Sequence, residues 1–201
     1  MAAKKSAAKG MDRRDVVAHL VRDRGDAVVV TGLGSPTYDT FAAGDHDLNF
    51  YLWGGMGGAA MAGLGLALAQ PKRRVLVITG DGEMLMGIGS LATIAVAAPK
   101  NLAIAVIDNG HYGETGMQRA HTGLGVDIAG MAKAAGFKSS TTITSMAALK
   151  GWLDTWYRKP GPVFADIKVA AVPAPMRLPV RDGTAIKHRF RKALLGSAAF
   201  E

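Results

Sequence analysis

Short apolar runs alternate along the chain with segments whose apolar residues recur at helical spacing. Runs such as AVVVT, RVLVIT and NLAIAVI are typical of strands buried on both faces of a sheet. We predict strands over Ala27–Thr31, Arg74–Thr79, Leu102–Ile107 and Val163–Val169. We predict helices over Asp12–Arg24, Met56–Ala69, Ile88–Ala98, Asp127–Ala135 and Ser145–Trp156. This alternation predicts an α/β fold, a three-layer parallel sheet with helices on both faces.

The remaining segments divide the chain into a tail, a domain and an extension. We predict a disordered basic tail, a single folded domain and a Pro-containing basic C-terminal extension, over residues 1–10, 11–170 and 171–201. Within the domain, the glycines and proline after Thr31 predict a loop and then a polar stretch, before the helix at Met56. Residues 110–125 contain five glycines and are predicted to form a long functional loop.

One charge-free segment is long enough to cross a bilayer. It runs for 20 residues, from Phe50 to Ala69. Six of these residues are glycine and five are alanine, so the segment is only weakly hydrophobic. Such a composition favours a helix packed closely on a sheet, and we expect no membrane association.

The charge is concentrated at the two ends of the chain. The formal net charge is +8, and most of it comes from lysines before residue 10 and from Lys/Arg after residue 175. A nucleic-acid-binding domain would carry a basic stripe on its folded body, so we expect no nucleic-acid partner. There is no cysteine, which excludes disulfides and cysteine-ligated zinc or iron–sulfur sites. The lack of cysteine and of an apolar leader favours a cytoplasmic protein.

Two turn motifs follow neighbouring predicted strands. Gly80-Asp81-Gly82 comes after RVLVIT, and Asp108-Asn109-Gly110 comes after NLAIAVI. The 26 residues between Gly82 and Asn109 have room for one helix and one strand. Asp81 and Asn109 would then stand side by side at the carboxyl edge of a parallel sheet, where ligands collect. Their oxygens suit Mg²⁺, and the flanking glycines let a phosphate approach the backbone, so the pair predicts a magnesium–diphosphate site.

The spacing of these motifs resembles the diphosphate-binding motif of thiamine-diphosphate enzymes. In that family the motif is GDG, a spacer and Asn, and here it reads GDGEMLMGIGSLATIAVAAPKNLAIAVIDN. The resemblance implies that Asp81, Asn109 and the backbone carbonyl of His111 bind Mg²⁺. Upstream, LWGGMGGAAMAGLGLALA resembles the segment whose apolar residue supports the bent cofactor. That similarity implies Met56 as the support and Gly54 as the carbonyl that holds the aminopyrimidine.

Within this family, the chain resembles the small subunits of sulfopyruvate decarboxylase and the matching half of phosphonopyruvate decarboxylase. The similar segments are GLGSPTYDTF, NFYLWGGMG, IDNGHYGETGMQ and RFRKAL. The resemblance implies a cofactor-binding set of Gly54, Met56, Gly80, Asp81, Gly82, Glu83, Asn109, His111 and Tyr112. It implies thiamine diphosphate and Mg²⁺ as cofactors. It also implies a small anionic 2-oxo acid as substrate, either similar to sulfopyruvate or phosphonopyruvate or another carboxylate, which is decarboxylated to CO₂ and an aldehyde. His111 and His121 flank the active-site loop and are the candidate catalytic residues.

The family also needs a glutamate that contacts the pyrimidine ring, on a separate pyrimidine-binding domain. A chain of 201 residues is too short for both domains, and Glu83 is no substitute because it adjoins the diphosphate turn. We therefore predict an α partner subunit that supplies this glutamate, in a hetero-oligomer such as α2β2 or larger. The chain alone should be inactive.

Two other functions remain open. A carboligase of the acetolactate-synthase type would use the same site with a second carbonyl acceptor. A non-catalytic nucleotide- or phosphate-binding module would use Gly32-Leu33-Gly34, which lacks a third glycine.

The loop after Asn109 departs from the family pattern, which usually reads close to GSTGNQ. The acidic Glu114 disfavours a sulfonate or phosphonate, whereas Arg119 and His121 could bind a carboxylate. The specific 2-oxo acid is left open.

Overall fold

The computed structural model describes residues 10–52 and 54–200. Of the tail predicted to be disordered, residues 1–10, all but Gly10 lie outside this part of the chain. The strands are β1 Val28–Thr31, β2 Asn49–Tyr51, β3 Val75–Gly80, β4 Leu102–Asp108, β5 His111–Tyr112, β6 Gln118–Arg119, β7 Ser139–Ile143 and β8 Val163–Lys168. The helices are α1 Arg13–Val21, α2 Ser35–Ala42, α3 Ala59–Ala69, α4 Asp81–Met86, α5 Ser90–Ala97, α6 Ile128–Ala135, α7 Met146–Arg158 and α8 Gly183–Leu195.

Six strands form one parallel sheet in the order β2-β1-β3-β4-β8-β7. Alternate residues of the central strands enter different cores. Val75 and Val77 of β3 pack with α3, α5, α6 and α8, whereas Leu76 and Ile78 pack with α1 and α7. This alternation follows from the two-residue period of a strand. The predicted three-layer parallel α/β fold is confirmed.

Helix ends follow capping rules that are visible in the sequence. Asp12 caps α1 by accepting from the Arg14 and Asp15 N–H groups, and Ser145 caps α7 by accepting from the Ala148 N–H. Gly136 ends α6 in the left-handed region at φ 114°. These residues account for the agreement between prediction and structure at the starts of α1 and α7 and at the end of α6.

Several segments differ from the prediction, and one of them is the short helix α4, which precedes the helix predicted from Ile88. The predicted loop and polar stretch after Thr31 contain helix α2, which has Pro36 in its first turn, and the short strand β2. Pro36 is favoured at that position because its missing N–H has no partner there in any case. Strand β7 was not predicted, because it is a polar edge strand, SSTTI. The predicted loop over 110–125 contains a small antiparallel pair, β5 and β6.

The C-terminal segment packs against the sheet. Phe190 of α8 is buried and meets Phe50 edge-on, with ring centroids 5.2 Å apart. Arg189 bonds to the Asp45 carboxylate at 2.6 Å. These contacts place α8 over the edge of the sheet formed by β2.

No helix in the described part of the chain is long and apolar enough to span a membrane.

Two glycines of α3 differ in the space around them. A Cβ at Gly63 would lie 2.2 Å from Cγ2 of Val77, whereas a Cβ at Gly65 would have no atom within 4 Å. Gly63→Ala should therefore lower the free energy of unfolding by about 1–3 kcal/mol through overpacking. Gly65→Ala should raise it by about 0.5–1 kcal/mol, because alanine is the better helix former. Urea unfolding of both variants tests this, and shifts of the same sign would contradict the packing of α3 on β3.

Candidate active site

The candidate site lies at the carboxyl edge of the two central strands. β3 and β4 are parallel neighbours, and Gly80 is the register partner of Ile107. Asp81 begins α4 directly after β3, and Asn109 follows the end of β4. The expected adjacency of these two strand ends is therefore observed.

A cavity of about 140 Å³ opens at this edge. Seven of the residues predicted from the sequence line it: Met56, Asp81, Gly82, Glu83, Asn109, His111 and Tyr112. Gly54, Gly80 and His121 lie outside the lining. The predicted cofactor-binding set did not include Leu33, Ser35 and Pro36, which line the cavity from the loop after β1 and the start of α2.

Asp81 is a buried carboxylate that pairs with no lysine or arginine in the described part of the chain. Its exposed fraction is 3%, and its Oδ2 accepts a hydrogen bond of 2.8 Å from the Thr122 hydroxyl. Burial and the nearby charge of Asp108 raise the pKa of Asp81 to about 6. Both causes act against the ionised form, so a cation at this position would be stabilised strongly.

Asp108 sits next to Asp81 but has different partners. Its Oδ1 accepts from the Gly110 N–H at 2.8 Å and lies 2.9 Å from the Thr122 hydroxyl, and its Oδ2 binds the Lys168 ammonium. Lys168 also pairs with Asp166 at 2.8 Å. Although burial opposes it, hydrogen bonding to these two carboxylates raises the pKa of Lys168. Burial, with the Asp108 charge, raises the pKa of Asp166.

Sequence reasoning missed this cluster of Asp108, Thr122, Asp166 and Lys168. Lys168 and Asp166 lie on β8, which neighbours β4 in space but is separated from it by about sixty residues of sequence. One signal was present: Asp166 and Lys168 interrupt an otherwise apolar strand at a spacing of two. Residues at that spacing point to the same face of a sheet.

The turn after β4 orients Asn109 and His111. The Asn109 Oδ1 accepts from the His111 N–H at 2.9 Å. The His111 Nδ1 lies 2.8 Å from the Asn109 carbonyl oxygen. A carbonyl can only accept, so Nδ1 carries the proton and Nε2 is left as the basic nitrogen. His111 can therefore accept a proton within the cavity.

Tyr112 connects this turn to the second candidate histidine. A Cβ at Gly82 would lie 2.4 Å from the Tyr112 ring, so the ring packs directly over the Gly80-Asp81-Gly82 turn. The Tyr112 hydroxyl lies 3.2 Å from Nδ1 of the exposed His121. His121 therefore contacts the cavity lining through Tyr112 rather than directly.

Met56 is presented by a loop that packs closely on the end of α4. Its side chain is 38% exposed and lines the cavity. Gly57 follows it with φ 86°, a conformation that favours glycine. A Cβ at Gly87 would lie 2.2 Å from the Gly57 carbonyl oxygen, so both positions need glycine. The half-exposed Met56 side chain is thus available to support a ligand.

Glu83 joins the loop after β1 to α4. It is 4% exposed, and its Oε2 accepts from the Leu33 N–H at 2.9 Å. A Cβ at Gly32 would lie 1.6 Å from that oxygen, so glycine is required there. Burial raises the pKa of Glu83, while the nearby Thr79 hydroxyl and backbone N–H groups oppose the rise. Its Oε2 is committed to the Leu33 N–H, whereas its Oε1 is buried without a hydrogen-bond partner in the described part of the chain.

Two residues singled out for the substrate occupy different positions. Glu114 lines the cavity, is exposed, and accepts from the Tyr38 hydroxyl at 3.3 Å. Arg119 donates to the Gly123 carbonyl and lies outside the lining. In the described part of the chain, the cavity wall therefore contains Asp81, Glu83 and Glu114 but no lysine or arginine.

Residues 34–167 match the family described as thiamine pyrophosphate enzyme, C-terminal TPP binding domain. The chain belongs to this family. It is 40% identical over 131 residues to the sulfopyruvate decarboxylase subunit beta of Methanocaldococcus jannaschii, covering 65% of this chain and 69% of that one. It is 40% identical over 144 residues to the phosphonopyruvate decarboxylase of Streptomyces viridochromogenes, and the match covers 72% of this chain and 36% of that one.

Among solved structures, the chain resembles a protein from Mycobacterium smegmatis provisionally assigned as a thiamin diphosphate-dependent enzyme. The TM-score is 0.67 at 25% identity, and the match covers 83% of this chain and 33% of that one. The chain thus spans about two thirds of the first relative and only about a third of the other two proteins. The part matched to the thiamine pyrophosphate family includes Met56, Asp81 and Asn109 and ends one residue before Lys168.

Removing the buried Glu83 carboxylate should destabilise this thiamine pyrophosphate-binding domain. Glu83→Ala leaves the Leu33 N–H without its acceptor, so we expect the free energy of unfolding to fall by about 1–3 kcal/mol. Glu114→Ala is the matched control, because its carboxylate is exposed and should change stability by less than about 0.5 kcal/mol. Urea unfolding measures both, and equal effects would show that Glu83 does not hold the loop after β1.

Proposed function

We propose that this chain is the diphosphate-binding subunit of a two-component thiamine-diphosphate-dependent decarboxylase. Its substrate is a 2-oxo acid, and its products are CO₂ and an aldehyde. The observation that carries the proposal is the cavity at the β3–β4 edge, which brings Met56, Asp81 and Asn109 together in the family-matched part of the chain. The two curated relatives described above are decarboxylases by name, which supports this reaction class.

The charges of the cavity support a magnesium ion as second cofactor. The cavity wall contains three carboxylates and, among the residues that the structure describes, no lysine or arginine, so a diphosphate that entered it would be repelled unless a cation came with it. No cluster of three or more His, Asp or Glu in the described part of the chain forms a metal site of its own. A site made of Asp81, Asn109 and the His111 carbonyl suits Mg²⁺, which takes its other ligands from phosphate and water.

The residues of this chain position the reactants and exclude water. When bound, thiamine diphosphate supplies the nucleophile and the electron sink of the reaction. Met56 would support the bent cofactor, and the Gly54 carbonyl would hold its aminopyrimidine ring. The His111 Nε2 is free to accept or return a proton at the cavity, because Nδ1 donates to the Asn109 carbonyl. His121 is proposed to take part through the Tyr112 hydroxyl.

The second half of the active site is proposed to lie on a partner. Glu83 cannot serve as the pyrimidine-activating glutamate, because its carboxylate is buried against Leu33 and Gly32. The name of the M. jannaschii relative, a subunit beta, and the greater length of the phosphonopyruvate decarboxylase relative both support a separate pyrimidine-binding component. We propose a cytoplasmic hetero-oligomer such as α2β2, in which this partner supplies the glutamate.

The substrate is proposed at the level of its class. Glu114 on the cavity wall disfavours a second anionic group on the 2-oxo acid. Arg119 does not offset this charge, since it is bonded to the Gly123 carbonyl outside the cavity. A 2-oxo acid whose only anionic group is its carboxylate therefore fits this wall better than one that also carries a sulfonate or phosphonate group.

Reconstitution with the partner tests the function. The chain should be co-expressed with candidate pyrimidine-binding subunits, supplied with thiamine diphosphate and Mg²⁺, and assayed for CO₂ release from a panel of 2-oxo acids. We expect activity only in the two-chain complex. Asp81→Ala should reduce it by at least about a hundredfold, because the metal loses its carboxylate.

Asp154→Ala is the matched control, because Asp154 is an exposed carboxylate on α7. Full activity of the isolated chain would contradict the split site. A product with a new carbon–carbon bond in place of the aldehyde would identify the carboligase alternative.

A further inference from the structure

Asp81, Asp108 and Asp166 gather at the carboxyl edge of the sheet with a single amine. Their exposed fractions are 3%, 2% and 1%. Lys168 pairs with Asp108 and Asp166, and no lysine or arginine in the described part of the chain pairs with Asp81. The distribution of hydrogen-bond donors among the three is therefore unequal.

Both oxygens of Asp108 already have strong donors. The Gly110 N–H donates to Oδ1 at 2.8 Å, and the Lys168 ammonium donates to Oδ2. The Thr122 hydroxyl lies within reach of both Asp108 and Asp81, at 2.9 and 2.8 Å. A hydroxyl carries one hydrogen, so it can donate to only one of them. Because Asp108 is satisfied without it, that hydrogen is available to Oδ2 of Asp81.

Thr122 is held in place by the backbone of its own loop. The Ala120 N–H donates to the Gly110 carbonyl at 2.8 Å, and the His121 carbonyl accepts from Leu124 and Val126. The loop also packs against itself without side chains, since a Cβ at Gly123 would lie 2.5 Å from the Gly110 carbonyl oxygen. The β-branched threonine has few χ1 rotamers, which limits the positions of its hydroxyl.

We propose that Thr122 is a positioning residue that orients the Asp81 carboxylate toward a divalent cation. Lys168 assists by donating a hydrogen bond to Asp108, so the Thr122 hydroxyl hydrogen can be donated to Asp81. The inference rests on the proposed function, in which Asp81 binds the metal of a metal–diphosphate pair. It assigns a role in metal binding to the loop over 110–125, which would act on the metal through the Asp81 carboxylate and not as a ligand itself.

The test compares variants of Thr122 in the full chain with Mn²⁺ and thiamine diphosphate as probes. The dissociation constant of Mn²⁺ is measured by electron paramagnetic resonance, and folding is followed by circular dichroism. Thr122→Val should weaken Mn²⁺ binding about ten- to a hundredfold, the range found when a group that orients a metal ligand is removed. Thr122→Ser keeps the hydroxyl and should restore binding to within about threefold.

Thr155→Val is the matched control. Its hydroxyl donates to the Gly151 carbonyl within α7, and it has no contact with the cavity. It should leave Mn²⁺ binding unchanged. If Thr122→Val does not fold, Thr122→Ala provides the same comparison without the bulk of valine.

The outcomes separate this inference from the function on which it rests. If the wild-type chain binds Mn²⁺ and Thr122→Val binds it with the same dissociation constant, the positioning role is overturned and the metal site is left intact. Loss of thermal stability in Thr122→Val with unchanged Mn²⁺ affinity would assign threonine a structural role only and would also overturn it. No Mn²⁺ binding by the wild-type chain with thiamine diphosphate would overturn both proposals.

Discussion

Parallel pairing of β3 with β4 places two buried carboxylates, Asp81 and Asp108, beside each other at one edge of the sheet. Like charges this close need compensation in a medium of low dielectric constant. The protein compensates one of them from within: Lys168 reaches Asp108 from β8. It leaves Asp81 on the cavity wall with a raised pKa, and no lysine or arginine in the part of the chain that the structure describes pairs with it. We propose that the unbalanced carboxylate gives the cavity an affinity for a metal ion.

Close backbone approaches make this arrangement possible. Gly32 leaves room for the Glu83 carboxylate, and Gly82 leaves room for the Tyr112 ring. Gly57 and Gly87 bring the loop carrying Met56 against the end of α4. Four chain segments that are distant in sequence thereby converge on one small cavity. The high glycine content of the chain, 26 residues, has this local physical explanation at the site.

Sequence alone was sufficient for the features that depend on local periodicity and turn chemistry. The central strands and the turns at Asp81 and Asn109 belong to this class, because apolar runs and Gly-Asp-Gly are read within a few residues. The partners of Asp108 were not predictable in this way. The contacts of Lys168 and Thr122 with Asp108 depend on the order of strands in the sheet and on the conformation of the loop over 110–125, which local sequence patterns do not give. Likewise, nothing local indicated that Glu83 turns toward Leu33.

The central claim is that the cavity binds a diphosphate only together with a divalent cation. Calorimetric titration of the full chain with thiamine diphosphate, in excess Mg²⁺ and in EDTA, tests it most directly. We expect binding in Mg²⁺ to be at least about a hundredfold tighter than in EDTA, because the described residues of the wall offer the diphosphate three carboxylates and no lysine or arginine. Equal affinity in EDTA would contradict the metal site at Asp81 and Asn109.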